Sequence, residues 1–141
     1  ADVKPFLEGC EDKSTPLSSG LKMYTLNEGN GPKPGPGASV KVNYEGYFTD
    51  GKLFDSNVQE VEESYGMLNN LKIQRGMYQP MPMDLTPDAP MIPGFKEAVS
   101  SLNVGEKAYF YIPSHLAYGE SRRKLQYIAS FSHTLKTLNK P

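Results

Sequence analysis

A chain of 141 residues with a formal net charge of −1 is sized for one domain and a short extension. That charge excludes a generic nucleic-acid binder, whose electrostatic footprint is basic. Apolar content of 38% suffices for one core, with nine Tyr and six Phe supplying the aromatic packing in the absence of Trp. The 12 Pro and 13 Gly sit mostly between apolar runs, where they read as turns in a sheet-rich fold. No segment reaches the roughly 18 apolar residues of a membrane span.

Residues 1–19 are polar, setting Asp2, Glu8, Glu11 and Asp12 against Lys4 and Lys13, and read as a flexible N-terminal arm or linker. Cys10 is the single cysteine, so it makes no internal disulfide and reads as an incidental surface thiol. Leu21 to Glu28 reads as a first strand, followed by the turn-rich GNGPKPGPG of residues 29–37. That stretch lacks the glycine spacing of phosphate-binding loops, and its prolines remove amides such a loop would use.

Residues 40–56, VKVNYEGYFTDGKLFDS, carry the clearest pattern. Val40, Val42 and Tyr44 share one face by period 2, and Asp50-Gly51 is a strong hairpin signal. The hairpin then leaves Asp55 beside Phe54, and an acid in such a place needs a hydrogen-bond or charge partner if it is buried. At this level Asp55 is a site candidate, with hydrolysis and simple packing both open.

Residues 57–90 change character. Val61, Tyr65 and Leu68 have the spacing of a short helix, after which Pro80, Pro82, Pro87 and Pro90 forbid any long regular element. The segment is locally acidic, with Lys72 and Arg75 as its cations. Phe95, Ala98, Val99 and Leu102 line one helical face, ended by Asn103-Val104-Gly105. Lys107–Ile112 is a strand bounded by Pro113, residues 113–119 form a turn, and Ile128 to Leu138 closes the sheet. The pattern predicts an α+β domain in which a curved antiparallel sheet packs on one short helix.

Several chemistries are disfavoured. His115 and His133 lie far apart without a cysteine cluster or an HExxH pattern, so neither a metal nor another cofactor is expected. There is no GxSxG elbow for covalent hydrolysis. The run Arg122-Arg123-Lys124 is too short to imply nucleic acid and reads as a solvated face.

Three motifs, VKVNYEGYFTDGKLFDS, MIPGFKEAVSSLNVGEKAYFYIP and SHLAYG, together make the chain resemble the FK506-binding-protein family of peptidyl-prolyl isomerases. The resemblance covers most of residues 20–138, with 139–141 as a C-terminal tail, and implies a strongly curved antiparallel sheet wrapped around one short helix. It implies that Tyr44, Asp55, the Ile92 amide and Tyr118 act on the substrate. Phe54, Met81, Met91, Phe95 and Phe131 then line the proline pocket, with Phe95 as its floor.

The expected reaction is cis-trans isomerisation of X-Pro bonds by desolvation and stabilisation of the twisted amide. The alternative is a weakly catalytic or non-catalytic peptide-binding or chaperone domain. Implied partners are proline-containing polypeptides and macrolides of the FK506 type, with the protein a monomer. An extracytoplasmic location is favoured over a cytoplasmic one, which the leader and lone Cys also fit.

Two departures from the family pattern stand out. The segment between FDS and IPGF is long, and after AYG the usual glycine-rich loop with an IPPN-like run is replaced by ESRRKLQYIASF. Tyr127 and Ile128 are the candidates to fill the space that loop leaves.

Overall fold

The computed structural model describes residues 3–35, 37–86, 88, 91–116 and 125–134, and within the last stretch Ile128 is the one side chain described. Seven strands form one antiparallel sheet: β1 (Thr15–Pro16), β2 (Lys22–Asn27), β3 (Ser39–Phe48), β4 (Leu53–Ser56), β5 (Met81–Asp84), β6 (Lys107–Ile112) and β7 (Leu125–Thr134). Their order is β1-β2-β6-β7-β3-β4, with β5 paired to β3 off that path. Among the described residues there are four α-helices: α1 (Lys4–Lys13), α2 (Gln59–Ser64), α3 (Asn70–Gln74) and α4 (Pro93–Ser100).

Period-2 alternation divides the sheet into two faces. On one face Val40 and Val42 of β3 and Ala108, Phe110 and Ile112 of β6 pack with Phe95, Ala98 and Val99 of α4. Pro93 opens α4 in its first turn, where a missing N–H costs nothing. Gly94 is required by close approach, since a Cβ there would lie 2.4 Å from Ile112 Cγ2. The β3–β4 hairpin turns at Gly51, whose φ of +90° lies in the left-handed region that favours glycine.

The opposite face carries a second core. Tyr47, Leu53, Tyr109 and Ile128 are buried there with Leu7 and Cys10 of α1, and Val61 and Tyr65 pack against them. This corrects the expectation of a sheet wrapped around one short helix. Four helices are present among the described residues, the main packed ones lie on both faces, and the strand path is open, with β1 and β4 as its ends. The stretch expected as a polar arm supplies α1, because Leu7 and Cys10, three residues apart, fall on one helical face. Cys10 is accordingly buried, not a surface thiol.

Smaller adjustments follow from local chemistry. The 57–90 segment forms two short helices where one was expected. Gly66, at φ +69°, ends the first, so that Tyr65 packs inward while Leu68 stays 40% exposed. Met81–Asp84 is a strand despite Pro82, which β3 contacts on one side only; a proline is tolerated at such an edge. β7 begins at Leu125, three residues before the expected start. Ile128 lies opposite Tyr109 and Glu45 and is buried in the second core, so it does not fill space on the α4 face.

Candidate functional site

The site grows from a gap in the pairing of β3. Along one edge β4 pairs with Glu45 to Tyr47 and β5 with Ser39 to Val42, leaving Asn43 and Tyr44 between them. Asn57, just past β4, closes that gap with its side chain. Its Oδ1 accepts from the Tyr44 N–H at 2.9 Å, and its Nδ2 donates to the carbonyls of Val42 at 2.8 Å and Gln79 at 3.1 Å. One buried amide thus satisfies main-chain groups that a strand partner would otherwise pair.

Tyr44 is held at this junction with its ring edge-on to Phe95, centroids 5.9 Å apart and planes at 81°. Its hydroxyl donates to Asp55 Oδ2 at 2.7 Å. On the same face Phe54 packs on Phe48 at a centroid distance of 4.9 Å. The cluster therefore joins an acid and a phenol to an apolar bed, of which Phe95 is the buried base at 1% exposure.

Asp55 has a second partner. The Lys72 ammonium, on α3, donates to Asp55 Oδ1 at 2.8 Å, to Glu62 Oε2 at 2.7 Å and to the Ser56 carbonyl at 3.2 Å. Glu62 is 2% exposed, and its other oxygen accepts from the Tyr78 hydroxyl at 2.5 Å. Desolvation pulls the Lys72 ammonium down, but the hydrogen bonds of Asp55 and Glu62 outweigh it, so Lys72 stands above its ordinary value and remains charged.

Of the residues expected at the site, Tyr44, Phe54, Met81, Met91 and Ile92 all pack on the core that contains Phe95. Asp55 reaches the group through Tyr44. Met81 and Tyr44 line a groove of about 310 Å³ together with Asn57, Arg75, Met77 and Gln79, while Met91 lines a neighbouring groove of about 470 Å³ with Met81. Ile92 is the N-cap of α4, and among the described residues its N–H has no hydrogen-bond partner. Phe131 pairs in register with Val42, and its side chain lies outside the described residues, as does that of Tyr127. Tyr118 and the replaced loop after Gly119 also lie outside them.

Sequence reasoning missed Phe48, Asn57, Glu62, Lys72 and Tyr78. Phe48 was findable, since it shares the parity of Val40, Val42 and Tyr44. Lys72 and Glu62 were visible only as charges in an acidic segment, and nothing in their spacing to Asp55 indicated contact.

Solved structures place this α+β fold in a known class. The peptidyl-prolyl cis-trans isomerase of Pseudomonas syringae pv. tomato str. DC3000 matches with a TM-score of 0.65 and 26% identity, over 94% of this chain and 90% of that one. The model of the FKBP-type peptidyl-prolyl cis-trans isomerases matches residues 31–135, and the chain belongs to that family. It is 38% identical over 108 residues, 77% of its length, to the FKBP-type peptidyl-prolyl cis-trans isomerase FkpA of Aeromonas hydrophila. It is 30% identical over 103 residues, 73% of its length, to the outer membrane protein MIP of Legionella longbeachae. The chain spans 32% and 36% of the length of these two curated relatives. No helix among the described residues is long and apolar enough to cross a membrane.

Proposed function

We propose that the domain catalyses cis-trans isomerisation of X-Pro bonds in polypeptides. The observation that carries this reading is the Tyr44 ring set edge-on to the buried Phe95 while its hydroxyl binds Asp55 at 2.7 Å. An apolar bed with one oriented polar pair suits a reaction that breaks no bond. Rotation about the amide faces a barrier of roughly 20 kcal/mol, because the planar form is stabilised by resonance.

The twisted amide is less charge-separated than the planar one, so removing water from the proline ring favours the twisted state. Phe95 forms the floor, with Phe54, Ile92, Met81 and Met91 around it, and the family resemblance assigns Phe131 to the same pocket. The Ile92 amide and the Tyr118 hydroxyl orient carbonyls on either side of the bond. Asp55 shapes the local field, and proton transfer to it is unnecessary. The gain comes from interactions stronger in the twisted state than in the ground state. Macrolides of the FK506 type compete for the same cleft.

The test is the rate of cis-trans exchange in an X-Pro peptide, followed by NMR. Wild-type protein accelerates exchange, Asp55→Ala and Tyr118→Phe each reduce kcat/KM by about tenfold, and an FK506-type macrolide inhibits. Folded wild-type protein that leaves the exchange rate unchanged rejects the enzyme reading. A second reading, a weakly catalytic peptide-binding or chaperone domain, is favoured by the apolar side chains exposed on the 57–90 segment. Leu71 is 57% exposed there and Met77 50%. Under that reading the protein binds unfolded chains and accelerates exchange weakly or not at all. The name of the Legionella longbeachae relative supports an extracytoplasmic location.

A further inference from the structure

The 57–90 segment contains a helix that apolar packing does not explain. α3 has no buried residue, and Leu71 and Ile73 are 57% and 44% exposed. A helix of five residues does not persist on its own in water. Polar contacts hold it instead. The Asn69 side chain caps the Leu71 and Lys72 N–H groups at 2.9 and 3.2 Å, and the Asn69 N–H donates to the Tyr78 hydroxyl at 3.0 Å. From this small scaffold Lys72 extends inward, its side chain only 18% exposed.

The ammonium has three protons and meets three acceptors, on Asp55, Glu62 and Ser56, so it is saturated. Glu62 is itself fixed, accepting from the Ser56 N–H at 3.1 Å and from Tyr78. The cation is therefore held from one side by a buried acid and presented on the other to Asp55. A carboxylate turns easily about its terminal torsion, which is broad and roughly two-fold. Here each oxygen has its own partner, Lys72 on Oδ1 and Tyr44 on Oδ2.

We infer that Lys72 is a positioning residue for the X-Pro site: delivered by α3 and anchored by Glu62, it fixes the Asp55 carboxylate so that Oδ2 stays on the Tyr44 hydroxyl. The role rests on the reading of Tyr44 and Asp55 as parts of that site. It makes the long segment between β4 and β5 a working component of the site, because melting α3 withdraws the cation. Its value to the reaction is preorganisation, since an acid already oriented needs no rearrangement when the amide twists.

The experiment measures kcat and KM for X-Pro exchange in a double-mutant cycle. K72M alone leaves the buried Glu62 without a counter-ion, which is strongly destabilising, so it is combined with E62Q, and urea denaturation confirms that each variant is folded. K72M/E62Q is expected to lower kcat/KM about tenfold, mainly through kcat, while K72R, which keeps a cation between the two acids, retains most of the rate. In a D55N background the same pair of substitutions is expected to have no further effect, because Lys72 acts through Asp55. Folded K72M/E62Q with wild-type kinetics overturns the role. An equal loss in the D55N background also overturns it, showing that Lys72 serves the fold alone. An inactive wild-type protein sinks the isomerase reading and this role together, whereas an active one indifferent to Lys72 sinks the role alone.

Discussion

At the residue scale, Asn57 decides more than its size suggests. Its amide is 6% exposed and makes three hydrogen bonds to main-chain groups of Val42, Tyr44 and Gln79. Removing it takes the partner from the buried Val42 carbonyl and from the half-buried Tyr44 N–H, and each such loss costs on the order of 1 kcal/mol or more. Asn57→Ala is expected to lower stability by about 2–3 kcal/mol in urea denaturation. Tyr44 is the residue released by that change, so activity should fall along with stability. A variant as stable as wild type contradicts this account of the gap in β3. Neither Asn57 nor Lys72 announced itself in the sequence, because a polar residue in a polar stretch carries no periodic signal.

At the element scale, α1 and α4 contrast in how they were read. α4 was legible because Phe95, Ala98, Val99 and Leu102 repeat at helical spacing and Asn103-Val104-Gly105 follows them. α1 has only Leu7 and Cys10 on its buried face among charged neighbours, so its composition resembled a solvated arm. Its anchoring comes from the sheet face beneath, where Tyr109 is fully buried. Leu7, 1% exposed, should be costly to truncate: Leu7→Ala is expected to destabilise by about 3 kcal/mol. Burial pushes the Cys10 thiol up, against a smaller lowering by Lys13, which makes it unreactive in the native state. A thiol reagent should therefore label Cys10 slowly in wild type and markedly faster in Leu7→Ala. Equal labelling rates in the two proteins would show that α1 does not depend on this contact.

Across the whole molecule, the second core links stability to pH. Burial raises the Tyr47 phenol far above its ordinary 10.0, reinforced by its hydrogen bond to Glu45. Burial likewise raises Tyr109, with the charge of Glu11 adding to it. Unfolding returns both groups to ordinary phenols that ionise near 10.0, so the unfolded state binds fewer protons there and stability falls as pH rises. The contribution is complete below pH 10 and is lost progressively above it. Urea midpoints measured from pH 8 to 11 should hold steady up to about 10 and then drop. A double substitution Tyr47→Phe/Tyr109→Phe that leaves the alkaline drop unchanged would assign it elsewhere.

Sequence by itself determined the family, the β3–β4 hairpin and the α4 helix, and it nominated the apolar members of the candidate site. The hairpin and the helix rest on short-range physics: alternation along a strand, helical spacing and turn residues with special backbone angles; the family and the site residues came from the resemblance of three motifs. Phe54, Met91 and Phe95 were picked out by motif and Met81 as the nearest match to a wall residue before the helix, and the structure gathers them on one core. Tertiary structure alone decided that the sheet carries helices on both faces, that Ile128 belongs to the second core, and that Asp55 is shared between Tyr44 and Lys72. The reason is that pairing of charges and covering of a sheet face depend on where distant segments dock. A lysine 17 residues beyond an aspartate becomes its partner only when a separate helix carries it there.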